Sequence, residues 1–335
     1  MVCRRTLIVA SLIAAFCFVA DGVRAEALKI GYPSAAPVAP IYIAKEKGYY
    51  AAQGIDVDLV QFDSAGPISV AVTSGSLDIA LAGMTASFYS LAGQGALKII
   101  AGAVHEMPGW HAEAIVASNK GFEAGVKTLK DLGGRTIATT QIGSSFYYAL
   151  GLVADKYNVD LKSIRIVQTQ ANANTVSTVA GGSVDAAVGT YTGFTPLLQK
   201  DSVKFLGYIG DETPWQIAVI IASTKVVRDK PELVERWLKA FRQATRTYHD
   251  AFTNSKEQRE DQPTAPEILA IMSKYLGQTT EQIGPSIGYV DPEGRLDVKD
   301  IHRQVAWFEA QGLVKGHADA DSIIASTYIL PWKER

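Results

Sequence analysis

The stretch RTIATTQIGSSFYYAL, residues 135–150, combines a strand, a loop and the start of a helix. A short β-type run ends in a small polar loop, and Ser144 and Ser145 stand where a helix needs its N-cap. Such a loop offers backbone N–H groups at the positive end of a helix dipole, with hydroxyls beside them. The stretch therefore predicts a site for a small anion, although a well-capped strand-to-helix connection explains the same residues.

The chain contains this arrangement twice. A shift of 107 residues aligns GSLDIALA at 75–82 with GSVDAAVG at 182–189. The same shift, without a gap, aligns Tyr50 with Tyr157. It also aligns the strand-like residues that follow these two tyrosines. Agreement of strand, helix and strand in one register indicates an internal duplication, so we expect two similar α/β lobes.

Each half reads as strand, helix, strand, helix and strand. The predicted strands are residues 28–32, 57–61 and 78–82 in the first half and 135–139, 164–167 and 185–188 in the second. Alternation of this kind favours a parallel sheet covered by helices, with ligands beyond the carboxyl ends of its strands. This rule selects four loops as the candidate site: residues 33–40, 83–87, 140–145 and 190–194.

Two further strand-rich passages, around residues 99–117 and 205–222, read as crossings between the lobes. A pair of crossings allows two lobes to hinge and close over a ligand. We therefore predict a discontinuous first lobe of residues 26–112 and 216–335, and a second lobe of residues 113–215. The C-terminal part is helical in pattern, and we expect its helices to pack on the first lobe.

The N-terminus has the pattern of a secretory signal peptide. Arg4 and Arg5 precede an apolar run, and small residues lead to Ala25. We predict general export to the periplasm with cleavage after Ala25, which also removes Cys3 and Cys17. No later apolar stretch is long enough for a transmembrane helix, so we expect no stable membrane insertion.

Composition and motifs narrow the function. The chain has 32 basic and 34 acidic side chains, a net charge of −2 that does not favour nucleic acid or anionic membrane as a partner. The common nucleophile-elbow, dinucleotide, phosphate-loop and zinc-protease motifs are absent from the sequence. His105, Glu106 and His111 match no familiar metal spacing. We therefore predict a protein that is not an enzyme, with no catalytic residue, cofactor or metal.

Three motifs carry a family resemblance: YIAKEKGYY at 42–50, SGSLDIA at 74–80 and QIGSS at 141–145. Together they resemble the alkanesulfonate, taurine and nitrate family of solute-binding proteins, within the superfamily that also binds thiamine pyrimidine precursors. The resemblance covers essentially the whole exported chain. It implies a type 2 periplasmic binding protein fold with two Rossmann-like lobes, a monomer, and delivery of solute to ABC permease subunits at the inner membrane.

The resemblance also implies which residues face the ligand. They lie in three of the four loops: Pro37; Gly83, Met84 and Thr85; and Thr140, Gln141, Gly143, Ser144 and Ser145. The chain departs from the family after its last repeat strand, where many relatives place a tryptophan and an acidic residue and this chain has GTYT at 189–192. An amine-bearing ligand such as taurine thereby loses its expected carboxylate partner.

The remaining candidate residues are aromatic, and they indicate what the part of the ligand behind its anionic head is like. His105, Trp110, Tyr191 and Trp215 lie near the crossings and the last loop, where they either stack on a ligand or fill the core. Neither Arg135 nor Arg165 lies in the four loops, so we expect an anion to be held by N–H groups and hydroxyls. An organic sulfonate or an aromatic carboxylate fits this pattern. Two alternatives stay open. The ligand can be a thiamine pyrimidine precursor, and the protein can be a sensor subunit in place of a transport component.

Overall fold

The computed structural model describes residues 25–333. The predicted signal peptide, with both cysteines, lies outside the described residues except for Ala25. Within the described part of the chain, no helix is both long and apolar enough to cross a membrane. The strands are β1 Glu26–Pro33, β2 Ile55–Phe62, β3 Ile79–Gly83, β4 Leu97–Glu106, β5 Glu113–Ser118, β6 Thr136–Thr139, β7 Arg165–Gln168, β8 Ala186–Thr190, β9 Val203–Tyr208, β10 Trp215–Ser223 and β11 Tyr289–Val290.

Helices cover both sheets and form most of the C-terminal part. They are α1 Pro40–Glu46, α2 Tyr49–Ala52, α3 Gly66–Thr73, α4 Ala86–Gly93, α5 Asn119–Glu123, α6 Ser145–Lys156, α7 Asn172–Ala180, α8 Tyr191–Gln199, α9 Ile209–Glu212, α10 Thr224–Asp229, α11 Pro231–Phe252, α12 Ala265–Leu276, α13 Thr280–Ile283 and α14 Val298–Ala310. The six predicted repeat strands agree with the structure to within two residues at each end.

The strands form two sheets that repeat one pattern. The first has the order β11-β4-β10-β3-β1-β2, and the second β7-β6-β8-β5-β9. In each sheet the three repeat strands are parallel, with β1 between β2 and β3, and β6 between β7 and β8. The next strand is antiparallel and comes from a crossing passage: β10 pairs with β3, and β5 pairs with β8. The α/β class is confirmed, but the sheets are mixed because the crossing strands run back along them.

The chain passes between the sheets twice, through residues 107–112 after β4 and through α9 after β9. The first sheet draws its strands from residues 26–106, 215–223 and 289–290, and the second from residues 113–208. On this division we propose the lobe boundaries given above, with the two passages as hinge segments.

The C-terminal helices pack mainly on the first sheet's side of the molecule. In α11, Trp237 stacks on Tyr50 at 6.0 Å, and in α12, Tyr275 stacks on Tyr42 at 4.5 Å. Helix α14 is fixed to β10 and also reaches the second lobe, because its Trp307 packs against α6. The expected packing on the first lobe therefore holds for α11 and α12, whereas α14 bridges both lobes.

One predicted helix is divided in the structure. The sequence predicts a continuous helix over residues 41–53, but α1 ends at Glu46 and α2 begins at Tyr49. Gly48 between them has φ of 70°, a left-handed conformation that glycine adopts without the penalty that a Cβ brings. The glycine turns the chain so that Tyr50 points into the core, where its side chain is fully buried.

Candidate ligand-binding cleft

A cleft lies between the two lobes, at the carboxyl ends of the parallel strands. Its walls come from the loop after β1, the end of β3, the last residues of β4, the start of β5, the loop after β6, the end of β8 and the first residues of β10. The cavity volume of the cleft is about 60 Å³, several times the roughly 10–15 Å³ that a single water molecule needs. Most of the wall is apolar, so the few polar groups in it decide what can bind.

The first polar part of the cleft wall is the N-terminus of α6. Ser144 caps this helix, since its hydroxyl accepts a hydrogen bond from the Tyr147 N–H at 3.2 Å. The N–H groups of Ser145 and Phe146, in the first turn, have no acceptor within the helix, and both residues line the cleft. Ser144 and Ser145 are buried, so these donors act in a poorly hydrated environment at the positive end of the helix dipole.

The start of α4 faces the same region, but its polar groups are already occupied. Thr85 caps the helix by accepting from the Phe88 N–H at 3.1 Å, and its hydroxyl also contacts Ser87 Oγ at 2.9 Å. The Ala86 N–H donates to the Gly143 carbonyl of the other lobe at 2.8 Å. This helix start therefore contributes a contact between the lobes.

Two further contacts cross the cleft. The Asn172 N–H of the second lobe donates to the Asp63 carbonyl of the first at 3.2 Å. Ser145 lies so close to Gly83 that a Cβ on the glycine would be 3.2 Å from the serine Oγ. The lobes thus meet across the mouth of the cleft, and this arrangement is a closed one.

Glu113, which the sequence does not single out, contributes the one ionisable side chain among the described residues of the cleft wall. It is the first residue of β5, only 3% exposed, and its Oε2 has no hydrogen-bond partner within the described part of the chain. None of the described residues that line the cleft is Lys, Arg or His. Burial raises the pKa of Glu113 to about 8. The acidic residue that many relatives place after the last repeat strand is absent from residues 189–192, but Glu113 brings a carboxyl group to the cleft wall from β5.

A second buried acid, Glu106, lies beside Glu113 at the end of β4. Burial raises the pKa of Glu106 well above its ordinary value, and the charge of Glu113 raises it further. The backbone N–H groups of Glu113 and Gly210 oppose this shift. Gly210, in the second passage between the lobes, has no room for a side chain, because a Cβ there would lie 2.6 Å from Glu106 Oε2. The two acids thus flank the first passage, and the second passage covers one of them.

The structure brings six of the predicted ligand-facing residues into the cleft wall: Pro37, Gly83, Thr140, Gln141, Ser144 and Ser145. Three others in the same loops lie outside it. Met84 is buried and donates its N–H to the Ile217 carbonyl, while Thr85 and Gly143 are engaged in the cap and in the contact between the lobes. Their proposed role in ligand binding is thus at most indirect.

The four predicted aromatic residues do not line the cleft. Each packs against another ring: His105 on Trp332 at 4.0 Å, Trp110 on Tyr289 at 5.3 Å, Trp215 on Tyr148 at 5.0 Å and Tyr191 on Tyr208 at 4.8 Å. Phe146, at the start of α6, is the aromatic residue of the wall. Within residues 25–333, no group of three or more His, Cys, Asp or Glu side chains is placed to hold a metal ion.

Sequence comparison places the chain among known proteins. Residues 36–254 match the family described as "NMT1/THI5 like". A Brucella abortus protein with the provisional name "binding protein" is 28% identical over 227 residues, or 65% of this chain and 64% of that protein. The match spans slightly less than two thirds of the length of the first curated relatives.

Solved structures share the fold. The alkanesulfonate-binding protein from Xanthomonas axonopodis pv. citri, bound to MOPS, superposes with a TM-score of 0.72 at 19% identity, over 89% of this chain and 97% of that one. The periplasmic nitrate-binding protein of Synechocystis gives a TM-score of 0.69 at 16% identity, over 90% and 86%. These likenesses confirm the predicted periplasmic binding protein architecture.

Proposed function

Because the chain belongs to the NMT1/THI5-like family, we propose that it is the extracytoplasmic solute-binding component of an ABC importer. The observation that carries the proposal is a cleft whose wall draws on both lobes, with free backbone donors at the start of α6. The two named solved structures are an alkanesulfonate-binding and a nitrate-binding protein, and the Brucella relative has the provisional name of a binding protein. In this role the protein acts in the periplasm and hands its solute to permease subunits at the inner membrane.

The ligand we propose is a small organic anion, a sulfonate or an aromatic carboxylate. Its acidic head accepts hydrogen bonds from the N–H groups of Ser145 and Phe146, where the helix dipole favours negative charge. Its body lies along apolar wall residues such as Val38 and Ile217. Since the lining residues include no basic side chain, the anion is held by oriented dipoles and not by an ion pair.

Glu113 favours a second candidate ligand, a heteroaromatic compound such as a thiamine pyrimidine precursor. A protonated carboxyl carries one donor and one acceptor, which match a ring nitrogen and an adjacent amino group. Burial raises the pKa of Glu113 to about 8, which keeps the carboxyl largely protonated at neutral pH. This candidate needs no anion at α6.

A thermal-shift panel on the purified exported protein tests the proposal. A ligand that binds only the folded state, at 100 times its dissociation constant, stabilises it by about 2.7 kcal/mol, which raises the melting temperature of a chain of this size by a few degrees. The panel contains alkanesulfonates and aminoalkanesulfonates, aromatic sulfonates, benzoate-type carboxylates, nitrate and aminopyrimidines.

We expect shifts from compounds that combine an anionic head with an apolar body. A panel in which only cationic or uncharged compounds stabilise the protein would refute the anion site at α6, and an aminopyrimidine as the sole hit would favour the second candidate. Turnover of the bound compound, followed by chromatography of the released ligand, would refute a pure binding role.

A further inference from the structure

We propose that Glu113 couples solute capture to release of a proton: its carboxyl receives a positively charged N–H group of the solute and loses its own proton to solvent. The inference rests on the proposed function and makes it narrower. The anionic head of the solute lies at the start of α6, and a basic nitrogen on the same molecule lies at Glu113. The solute class is thereby an amino-substituted organic anion.

The geometry around Glu113 is that of a binding group and not of a structural one. β5 lies between β8 and β9, so Glu113 belongs to an interior strand and its side chain is almost fully enclosed. Buried carboxyls that stabilise a fold are paired or fully hydrogen-bonded, whereas Glu113 Oε2 has no such partner within the described residues. The side chain instead faces a cleft whose nearby wall includes Val104, Ile217 and Ala218.

Among the described residues, no cation shifts the pKa of Glu113, since burial is its one cause. Arg259 acts on His111 and forms an ion pair with Asp261 at 2.7 Å. Glu106 on β4 is another buried acid, and Asp211 on α9 acts on Glu106 with the same sign. His111, two residues before Glu113, has its pKa lowered, chiefly by burial, so its ring is neutral at pH 7. From β8 and β9, the strands on either side of β5, the nearest partners in register are Thr190 and Tyr208. A positive charge beside Glu113 must therefore come from the ligand.

The proton balance follows from these surroundings. In the empty cleft the carboxyl is protonated, since burial raises the pKa of Glu113 to about 8. When an ammonium group arrives, the carboxylate and the ammonium form a charge-assisted hydrogen bond, and the carboxyl proton leaves to solvent. No other bond forms or breaks. A ligand with a methyl group in place of the ammonium leaves Glu113 protonated and releases no proton.

Calorimetric titration with two matched ligand pairs tests this coupling. The pairs are 3-aminopropanesulfonate with butane-1-sulfonate, and 4-(aminomethyl)benzoate with 4-ethylbenzoate, so that each differs by an ammonium in place of a methyl group. Titration in two buffers of different ionisation enthalpy gives the number of protons released on binding. With a pKa about one unit above the buffer pH, linkage predicts about 0.9 proton per bound amine at pH 7 and about 0.1 at pH 9. Affinity for the amine should fall nearly tenfold between pH 7 and pH 6.

Glu113→Gln keeps the size of the side chain and removes its titration. In this variant we expect proton release to vanish and affinity for the amine ligand to fall by at least tenfold, while affinity for the methyl analogue stays within twofold. Glu235→Gln, on the exposed face of α11, is the matched control and should bind as wild type. A melting temperature no lower than that of wild type would establish that Glu113→Gln is folded.

The outcomes separate the inference from its premise. If the amines bind without proton release, or release persists in Glu113→Gln, the inference is overturned and the proposed function stands. If the methyl analogues bind and the amines do not, Glu113 does not receive the basic group and the inference is again overturned. If no member of either pair binds, the anion site at α6 fails, and the inference fails with it.

Discussion

Replacing Gly83 by valine should weaken ligand binding without unfolding either lobe. Gly83 ends β3 in the first lobe, and a Cβ on it would lie 3.1 Å from Ala65 Cβ and 3.2 Å from Ser145 Oγ. Ser145 belongs to the other lobe, so this second contact exists only while the lobes are together. Valine adds two methyl groups beyond the Cβ, and it fits the strand that Gly83 ends because β-branched residues are favoured there.

The size of the loss in affinity depends on which arrangement of the lobes bears the strain of the valine side chain. Overpacking of a filled interior costs about 1–3 kcal/mol. Only the closed arrangement bears the contact with Ser145. If ligand binds that arrangement, affinity should fall by up to about 150-fold, since about 1.4 kcal/mol is a factor of ten. The melting temperature of the ligand-free protein should fall by a smaller amount, because an open form avoids the contact with Ser145 and keeps only the contact with Ala65 of the same lobe.

Two measurements on the best ligand from the thermal-shift panel check this reasoning. Calorimetric affinity gives the loss of binding, and small-angle scattering at saturation shows whether the radius of gyration still decreases. Gly133→Val is the matched control, since its Cβ would meet Val159 and Ser163 only at 3.5 and 3.7 Å and the residue is outside the cleft wall. Binding of Gly83→Val within twofold of wild type would show that the closed arrangement is not the one that binds ligand.

Two further predictions concern stability. Ser144→Ala removes the acceptor for the Tyr147 N–H, so it should lower the free energy of unfolding by about 1 kcal/mol, measured by denaturant titration. Ser145→Ala is the control, because it leaves this cap intact. Equal losses of stability in the two variants would contradict the capping argument. Burial raises the pKa of Glu113 to about 8, so the folded ligand-free protein holds a proton that the unfolded chain releases above about pH 4.3. Its stability should therefore fall as pH rises from 5 to 8, and thermal melts of Glu113→Gln should show a smaller fall; parallel melting curves for both proteins would contradict it.

The repeat strands and the α6 loop could be predicted from sequence because duplication constrains them twice. Gly-Ser-Leu-Asp-Ile at 75–79 and its counterpart fix the same strand start, and the Ser144–Ser145 cap is a local signal. The positions of the crossing strands could be predicted from the sequence, but the strands with which they pair could not. An apolar run such as Ile217 to Ala222 fits either orientation in a sheet, and only the fold places β10 antiparallel between β3 and β4.

Glu113 and the aromatic residues show where local reasoning fails. An acidic residue at the start of a strand is usually exposed, and burial of Glu113 results from the neighbouring strands and from the opposite lobe. The repeat gives no help, because β5 lies outside the aligned strands. From the sequence, Trp110 and Trp215 on the crossings can either stack on a ligand or fill the core. In the structure each packs against a tyrosine ring, and such pairs stabilise the core in addition to burying area.

The cleft combines two polar ends that differ in how they respond to pH. The donors at the start of α6 are backbone N–H groups and do not titrate, so the anionic head should bind similarly across the neutral range. Glu113 must ionise to bind an ammonium, which at pH 7 costs about 1.4 kcal/mol for a pKa one unit higher. A hydrogen bond to a charged group contributes about 1.5–3 kcal/mol, so the amine retains an advantage at pH 7. At pH 6 the cost of ionisation is about 2.7 kcal/mol and nearly cancels that gain. Preference for the amine over its methyl analogue should therefore disappear near pH 6, while the affinity of the methyl analogue stays constant.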